Sequence, residues 1–114
     1  MSYEISPHKT FLVEAKRLKK RYRSFNDDLE AFKNSLEENP FQGAELSPGI
    51  RKIRMAIGSK QRGKAGSARV ITANAIIAEH EGRIALLTIY DKQDADTVKL
   101  PVIRQMAREL GFEV

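Results

Sequence analysis

Hydrophobic residues recur every three or four positions in three segments of the chain, and this spacing predicts three helices. Their apolar faces are Phe11, Ala15, Leu18 and Tyr22; Phe25, Leu29, Phe32 and Leu36; and Ile103, Met106 and Leu110. Pro7 can open the first helix. The pair Asn39-Pro40 ends the second, because the residue before a proline disfavours helical backbone. Pro101 and Gly111 mark the start and the end of the third.

Between the second and third helices the spacing changes to a period of two, which is typical of half-buried strands. Ile53 and Met55, for example, alternate with Lys52 and Arg54. Strands are predicted at Ser2 to Ser6, around Ile53, at Ala68 to Ile77 and at Ile84 to Tyr90, with a loop rich in glycine and basic residues at Gly58 to Ser67. The predicted order is β-α-α-β-β-β-α. This order indicates an α+β fold, in which two N-terminal helices and a C-terminal helix pack on an antiparallel sheet.

The length of 114 residues is enough for one domain, which we expect to span residues 1–114. There is no cysteine, which excludes a disulfide framework and thiolate chemistry. The longest apolar runs have only four residues (75–78 and 84–87), too few to cross a membrane. The N-terminus has no apolar stretch of the kind found in signal peptides. We therefore expect a soluble, cytoplasmic protein that has no membrane partner.

The distribution of charge is more informative than the net charge of +5. Residues 9–23 contain seven basic side chains and one acid, whereas residues 27–45 contain six acids and one base. Residues 51–69 then contain seven basic side chains and no acid. Nineteen residues without a counter-charge favour a phosphate-rich partner.

Two enzymatic alternatives have weak support in the sequence. Residues 58–65 have the spacing of a phosphate-binding loop, and residues 86–91 resemble a strand that ends in a magnesium-binding aspartate. However, Ala65 occupies the place of the hydroxyl residue that ligates the metal. His8 and His80 are the only imidazoles, so a histidine-based metal site is not indicated either. We expect no metal and no cofactor.

A set of cations and one tyrosine forms the candidate site. Lys52 and Arg54 share one face of a strand, because side chains two residues apart point the same way. The other members are Arg51 in the same strand, Lys60, Arg62 and Lys64 in the basic loop, Arg69 on the return strand, and Tyr90 and Lys92 at the end of the next strand. Together they can hold a phosphate from several sides, and each arginine can bind two of its oxygens. Tyr90 can stack on a base or transfer a proton.

Three segments of the chain resemble RelE/HigB-type toxins of bacterial type II toxin–antitoxin systems. They are residues 50–54 (IRKIR), 62–71 (RGKAGSARVI) and 86–92 (LLTIYDK), in the order and at the spacing of that family. The resemblance implies a RelE/ParE-like fold and an endoribonuclease that enters the ribosomal A site and cuts translated mRNA. It also implies a cognate helix-turn-helix antitoxin as partner.

The resemblance carries over residue by residue to a catalytic set of Lys52, Arg54, Arg62, Lys64, Arg69, Tyr90 and Lys92. We expect Arg51 and Lys60 of the same basic segment to bind RNA as well. The mechanism that we expect is metal-independent. The ribose 2′-OH attacks the adjacent phosphate and leaves a 2′,3′-cyclic phosphate and a 5′-OH, while arginines stabilise the developing charge. The general base and the general acid remain open among the lysines and Tyr90.

Two other functions fit a small basic protein of this kind. The first is a ParE-like toxin that binds gyrase without catalysis, which would leave mRNA intact. The second is a basic RNA-binding accessory protein, which would not be toxic on its own. Both remain alternatives at this point, because a fold alone does not assign an activity.

Overall fold

The computed structural model describes residues 2–60, 66–94 and 98–114. Within them the chain forms three α-helices and one five-stranded sheet. The elements are β1 (Glu4–Pro7), α1 (Lys9–Arg21), α2 (Phe25–Glu38), β2 (Ala44–Ser47), β3 (Ile50–Ala56), a 3-10 turn (Gly58–Lys60), β4 (Ser67–Ala78), β5 (Glu81–Asp91) and α3 (Leu100–Glu109). The α+β class and the three predicted helices are confirmed.

The sheet is mixed rather than antiparallel, which corrects the prediction. Its strand order is β1-β5-β4-β3-β2, and β1 runs parallel to β5 while the other neighbours are antiparallel. Glu4 pairs with Arg83 and Pro7 with Leu86, so the first strand joins the last one. Strands that are so far apart in sequence need no hairpin, and either direction of pairing is open to them.

The structure also contains a strand that the sequence pattern did not reveal. Strand β2 lies at the edge of the sheet and pairs with the first residues of β3. Gly43, which precedes β2, has a φ of +74°, and a Cβ there would overlap the carbonyl oxygen of Lys52. A glycine is therefore needed for this short strand to approach β3.

Hydrophobic residues fill both faces of the sheet. Helices α1 and α2 cover one face, where Phe11, Leu18, Phe25, Phe32 and Leu36 pack against Ile53 and Met55 of β3. Helix α3 covers the other face, where Ile103, Ala107 and Phe112 pack with Ile50, Ile71 and Leu87. Because Ile50 and Ile53 belong to opposite cores, the alternation of β3 sends Lys52 and Arg54 to the α3 face and Arg51 to the α1/α2 face.

His8 links the start of α1 to α3. The backbone N–H of Thr10 donates to its Nδ1 at 3.0 Å, which caps the helix, and its Nε2 lies 2.7 Å from Oε1 of Glu109. Since Nδ1 accepts a hydrogen bond, the proton of the neutral ring lies on Nε2 and is donated to Glu109. The side chain of His8 is 5% exposed and that of Glu109 is 45% exposed, so this contact joins the two helices at the edge of the core.

None of the helices in the described parts of the chain is long and apolar enough to cross a membrane.

Candidate functional site

Three of the predicted site residues form a row across three neighbouring strands. In the sheet register Arg54 of β3 lies opposite Arg69 of β4, and Arg69 lies opposite Tyr90 of β5. Directly opposed residues of antiparallel strands project to the same side, with Cβ atoms about 5 Å apart. Lys52 lies two residues before Arg54 on the same face. We call Lys52, Arg54, Arg69 and Tyr90 the cationic row.

The cationic row begins where the cover of α3 ends. Ile71, which pairs with Lys52, is fully buried under α3, whereas Arg69 is half-buried and Arg54 is exposed. Tyr90 is half-buried and packs against the α3 core. The row therefore has Tyr90, packed on the α3 core, at one end and the solvent-exposed guanidinium of Arg54 at the other. This arrangement suits an elongated anionic ligand.

The electrostatics of the row point to an anion. Two arginines that face each other across a strand pair destabilise a sheet unless something neutralises them. Within residues 2–60, 66–94 and 98–114, no carboxylate forms an ion pair with Lys52, Arg54 or Arg69. Arg69 instead donates from Nη1 to Oγ of Ser67 at 2.7 Å, which holds its guanidinium close to the strand.

Of the remaining predicted catalytic residues, one lies near the end of the sheet and two lie outside the described residues. Lys92 is exposed and directly follows β5, two residues after Tyr90. Arg62 and Lys64 lie outside the described residues. The backbone N–H of Ile57 donates to the carbonyl of Gly66 at 2.9 Å, so the chain leaves β3 and returns to β4 at the end of the sheet that carries Arg69.

Lys60 does not join the cationic row, although the sequence suggested that it binds RNA. Its side chain is 5% exposed, and its Nζ lies 2.7 Å from Oδ1 of Asp91. Asp91 pairs with Ala68, whose side chain is buried in the α1/α2 core. Lys60 therefore lies on the opposite face of the sheet and serves an internal ion pair.

Arg51 also lies away from the row. Its Nε donates to the carbonyl of Gln42 at 2.8 Å, and its Nη2 donates to the carbonyl of Gly43 at 3.1 Å. These bonds hold the segment between α2 and β2 in place. Arg51 thus has a structural role on the α1/α2 face, whereas Lys52 projects to the face of the cationic row.

A cluster of polar groups around Asp91, near the site, was not predicted from the sequence. The carboxylate of Asp91 is 1% exposed and accepts hydrogen bonds from Lys60, from the hydroxyl of Tyr22, from Arg21 and from the backbone N–H of Gln93. Burial alone would raise the pKa of Asp91, but the bonds from Lys60 and Tyr22 outweigh burial and lower it to about 2. Asp91, Lys60, Tyr22 and Arg21 form what we call the Asp91 cluster.

The Asp91 cluster fixes the end of the sheet that carries the cationic row. Asp91 directly follows Tyr90, and Lys60 ends the 3-10 turn that leads out of β3. Arg21 and Tyr22, at the end of α1, donate hydrogen bonds to Asp91 and so connect these two segments to α1. These donors bond both oxygens of the carboxylate, so Asp91, the last residue of β5, serves as a structural anion.

Comparison of the chain with protein-family models gives no match, and comparison with curated proteins gives none either.

Proposed function

We propose that this protein is a RelE/HigB-type toxin, a ribosome-dependent and metal-independent endoribonuclease that cuts mRNA and so inhibits translation. The observation that supports this most directly is the register of β3, β4 and β5, which aligns Arg54, Arg69 and Tyr90 on one face. The sequence resemblance carries the finer assignment. It also carries the proposed setting, which is the cytoplasm, with the ribosomal A site and mRNA as target and a helix-turn-helix antitoxin as inhibitor.

In the proposed reaction the ribose 2′-oxygen attacks the adjacent phosphorus, and the bond from phosphorus to the 5′-oxygen of the next nucleotide breaks. The 2′-OH proton goes to a general base, and a general acid returns a proton to the leaving oxygen. The products are a 2′,3′-cyclic phosphate and a 5′-OH. Arg54 and Arg69 stabilise the charge that builds up on the phosphate oxygens.

Proton transfer falls to the lysines and the tyrosine of the site. Tyr90 lies directly opposite Arg69 in the sheet, so we take its hydroxyl as the first candidate. Lys52 of the row and Lys92, two residues after Tyr90, are the other candidates within the described residues. Each correctly placed acid or base contributes about 10²–10⁴-fold to the rate.

The test is a translation reaction that contains purified protein and a defined message. Primer extension should reveal new 5′ ends within the codon in the A site of stalled ribosomes, and free mRNA should be cut far more slowly. Arg23→Ala, which removes one positive charge outside the cationic row, should cut as the wild type does, because Arg23 is exposed in the turn between α1 and α2. Intact mRNA together with inhibited gyrase would favour the ParE-like alternative. Binding of RNA with neither effect would favour an accessory protein.

The salt dependence of RNA binding reports how many cations touch phosphates. If Lys52, Arg54, Arg69 and Lys92 each contact one phosphate, log K should fall with log salt with a slope of about −2.8 for single-stranded RNA. Arg54→Ala should make the slope shallower by about 0.7, and Arg23→Ala should leave it unchanged. Fluorescence anisotropy of a labelled oligonucleotide measures this. A slope near zero, or equal slopes in the wild type and Arg54→Ala, would show that the row does not bind the backbone.

A further inference from the structure

A groove between the start of α1 and helix α3 lies apart from the cationic row. Its volume is about 420 Å³. Lys9 and Thr10 line it from α1, and α3 contributes Pro101, Val102, Gln105, Met106 and Glu109. Three of these five α3 residues are apolar, so the groove has an apolar centre on the α3 side.

Exposed hydrophobic residues continue this groove along α1. Leu12 and Val13 are 55% and 54% exposed, and Val102 in the groove is 51% exposed. Leu12 and Val13 follow Lys9 by three and four residues, so they lie on the same side of the helix as this groove residue. Three of the five large hydrophobic residues that are exposed in the described parts of the chain thus belong to one surface. We call it the α1/α3 groove.

A hydrogen bond between α1 and α3 spans one end of the groove. His8 and Glu109 line it and bond to each other at 2.7 Å, which fixes the distance between the start of α1 and the end of α3. A binding site that exists before its ligand arrives loses less conformational freedom on binding.

The charge along the α1 border of the groove is positive. Lys9 and Lys16 are exposed on either side of Leu12 and Val13, and Arg17 follows one residue later. The only acid of α1, Glu14, lies 3.7 Å from Arg17. Glu109 is the acidic side chain at the α3 border, where it is 45% exposed and bonded to His8. A ligand here meets an apolar centre with cations along the α1 border and one acid at the end of α3.

We propose that the α1/α3 groove binds an acidic amphipathic helix of a partner protein. Apolar side chains of that helix, spaced three and four residues apart, pack on Val102, Met106, Leu12 and Val13. Carboxylates on its flank face Lys9 and Lys16, which fixes its direction and speeds its arrival. RNA does not suit this surface, because a phosphate backbone gains nothing from the exposed aliphatic residues.

This surface is independent of the proposed nuclease activity, because its residues are not members of the cationic row. The two proposals can therefore fail separately. If the wild type binds the helix but does not cut mRNA, the nuclease proposal fails and the docking site stands. If it cuts mRNA but does not bind the helix, the reverse holds.

The experiment uses a fluorescein-labelled helical peptide with leucines at i, i+3, i+4 and i+7 and glutamates between them. A peptide of the same composition in scrambled order and a single-stranded RNA oligonucleotide serve as competing ligands. Anisotropy should show saturable binding of the amphipathic peptide to the wild type. The scrambled peptide should bind at least about tenfold more weakly, because its apolar residues no longer share one face.

Two aspartate variants locate the binding. Val102→Asp should weaken peptide binding by about tenfold or more, because it places a carboxylate in the groove. Ile77→Asp is the matched control, since Ile77 is 76% exposed on β4, and should bind as the wild type does. Both variants change exposed side chains, and circular dichroism checks that both are folded. Equal binding by Val102→Asp and the wild type, equal binding of the two peptides, or displacement of the peptide by RNA would overturn the proposal.

Discussion

Replacing Asp91 with asparagine should lower the free energy of unfolding by about 3–5 kcal/mol, because the buried ammonium of Lys60 loses its counter-ion. Lys60 and Asp91 are 5% and 1% exposed, so water cannot take over the interaction. The hydroxyl of Tyr22 also loses its charged acceptor. A domain of this size has a total stability of roughly 5–15 kcal/mol, so the loss is a large share of it. Urea denaturation followed by circular dichroism measures the change.

Asp94→Asn is the matched control for the Asp91 cluster. Asp94 also bonds Arg21, at 3.0 Å, but its side chain is 54% exposed. Exposed ion pairs contribute about 0–1 kcal/mol, so this variant should stay close to the wild type. If Asp91→Asn and Asp94→Asn were equally mild, the Asp91 cluster would not be the structural centre of this end of the sheet.

The pH dependence of stability provides a second measurement on the same group. The pKa of Asp91 is lowered to about 2 in the folded protein, from 3.8 for the isolated group. A depressed pKa contributes stability above the pKa of the unfolded state, and this contribution is lost as the pH falls through the folded value. The difference between the wild type and Asp91→Asn should therefore be constant from about pH 5 to 7. Below about pH 4 it should shrink by on the order of 2 kcal/mol.

Replacing Arg69 with alanine should lower the rate of mRNA cleavage by about 10²–10³-fold, which is typical for the loss of one preorganised donor to a transition-state anion. Arg69 occupies the centre of the cationic row, opposite both Arg54 and Tyr90. Arg69→Lys keeps the charge but loses the two-pronged contact with phosphate oxygens, so it should recover only part of the rate. Single-turnover cleavage on programmed ribosomes measures the chemical step.

Variants at the two ends of the row separate binding from chemistry. Arg54 is exposed, and Arg54→Ala should weaken RNA binding more than it slows the chemical step. Tyr90→Phe keeps the packing against the α3 core and removes only the hydroxyl, so it should lower the rate at saturating ribosomes. Arg23→Ala controls for the loss of one positive charge. Cleavage at the wild-type rate by both Arg69→Ala and Tyr90→Phe would place the active site elsewhere.

The helices and the central strands were predictable because their signals are local. The spacing of Phe11 and Leu18 in α1 and of Ile103 in α3 reflects contacts that one element makes with one core. Gly111, with a φ of +86°, follows α3 as expected for the residue after a helix. The strand around Ile53 shows the alternation of a half-buried strand.

The pairing of β1 and the presence of β2 could not be predicted in the same way. Strand β1 pairs with residues about eighty positions later, and no local pattern records such a partner or its direction. Strand β2 has only four residues, all exposed or half-buried, and lies at the edge of the sheet. Its conformation depends on Gly43 and on the bonds from Arg51, which become apparent only when β3 is in place.

The candidate site was also predictable only in part. Lys52, Arg54, Arg69 and Tyr90 share a face because strand alternation and register place them there. Lys60 resembled its basic neighbours in sequence, yet its partner Asp91 is 31 residues away, and only the fold brings them together. Arg51 could have been separated from Lys52 on the sequence alone, because adjacent residues of a strand point to opposite faces.

The most direct test of the proposed chemistry is cleavage of two messages that differ by a single oxygen. One message is all-ribose, and the other carries a 2′-deoxynucleotide on the 5′ side of the mapped scissile phosphate. The wild-type protein on programmed ribosomes should cut the first and leave a 5′-OH fragment, and it should leave the second intact at that position. An uncut all-ribose message, or equal cutting of both messages, would contradict the proposal that the cationic row holds RNA for attack by its own 2′-OH.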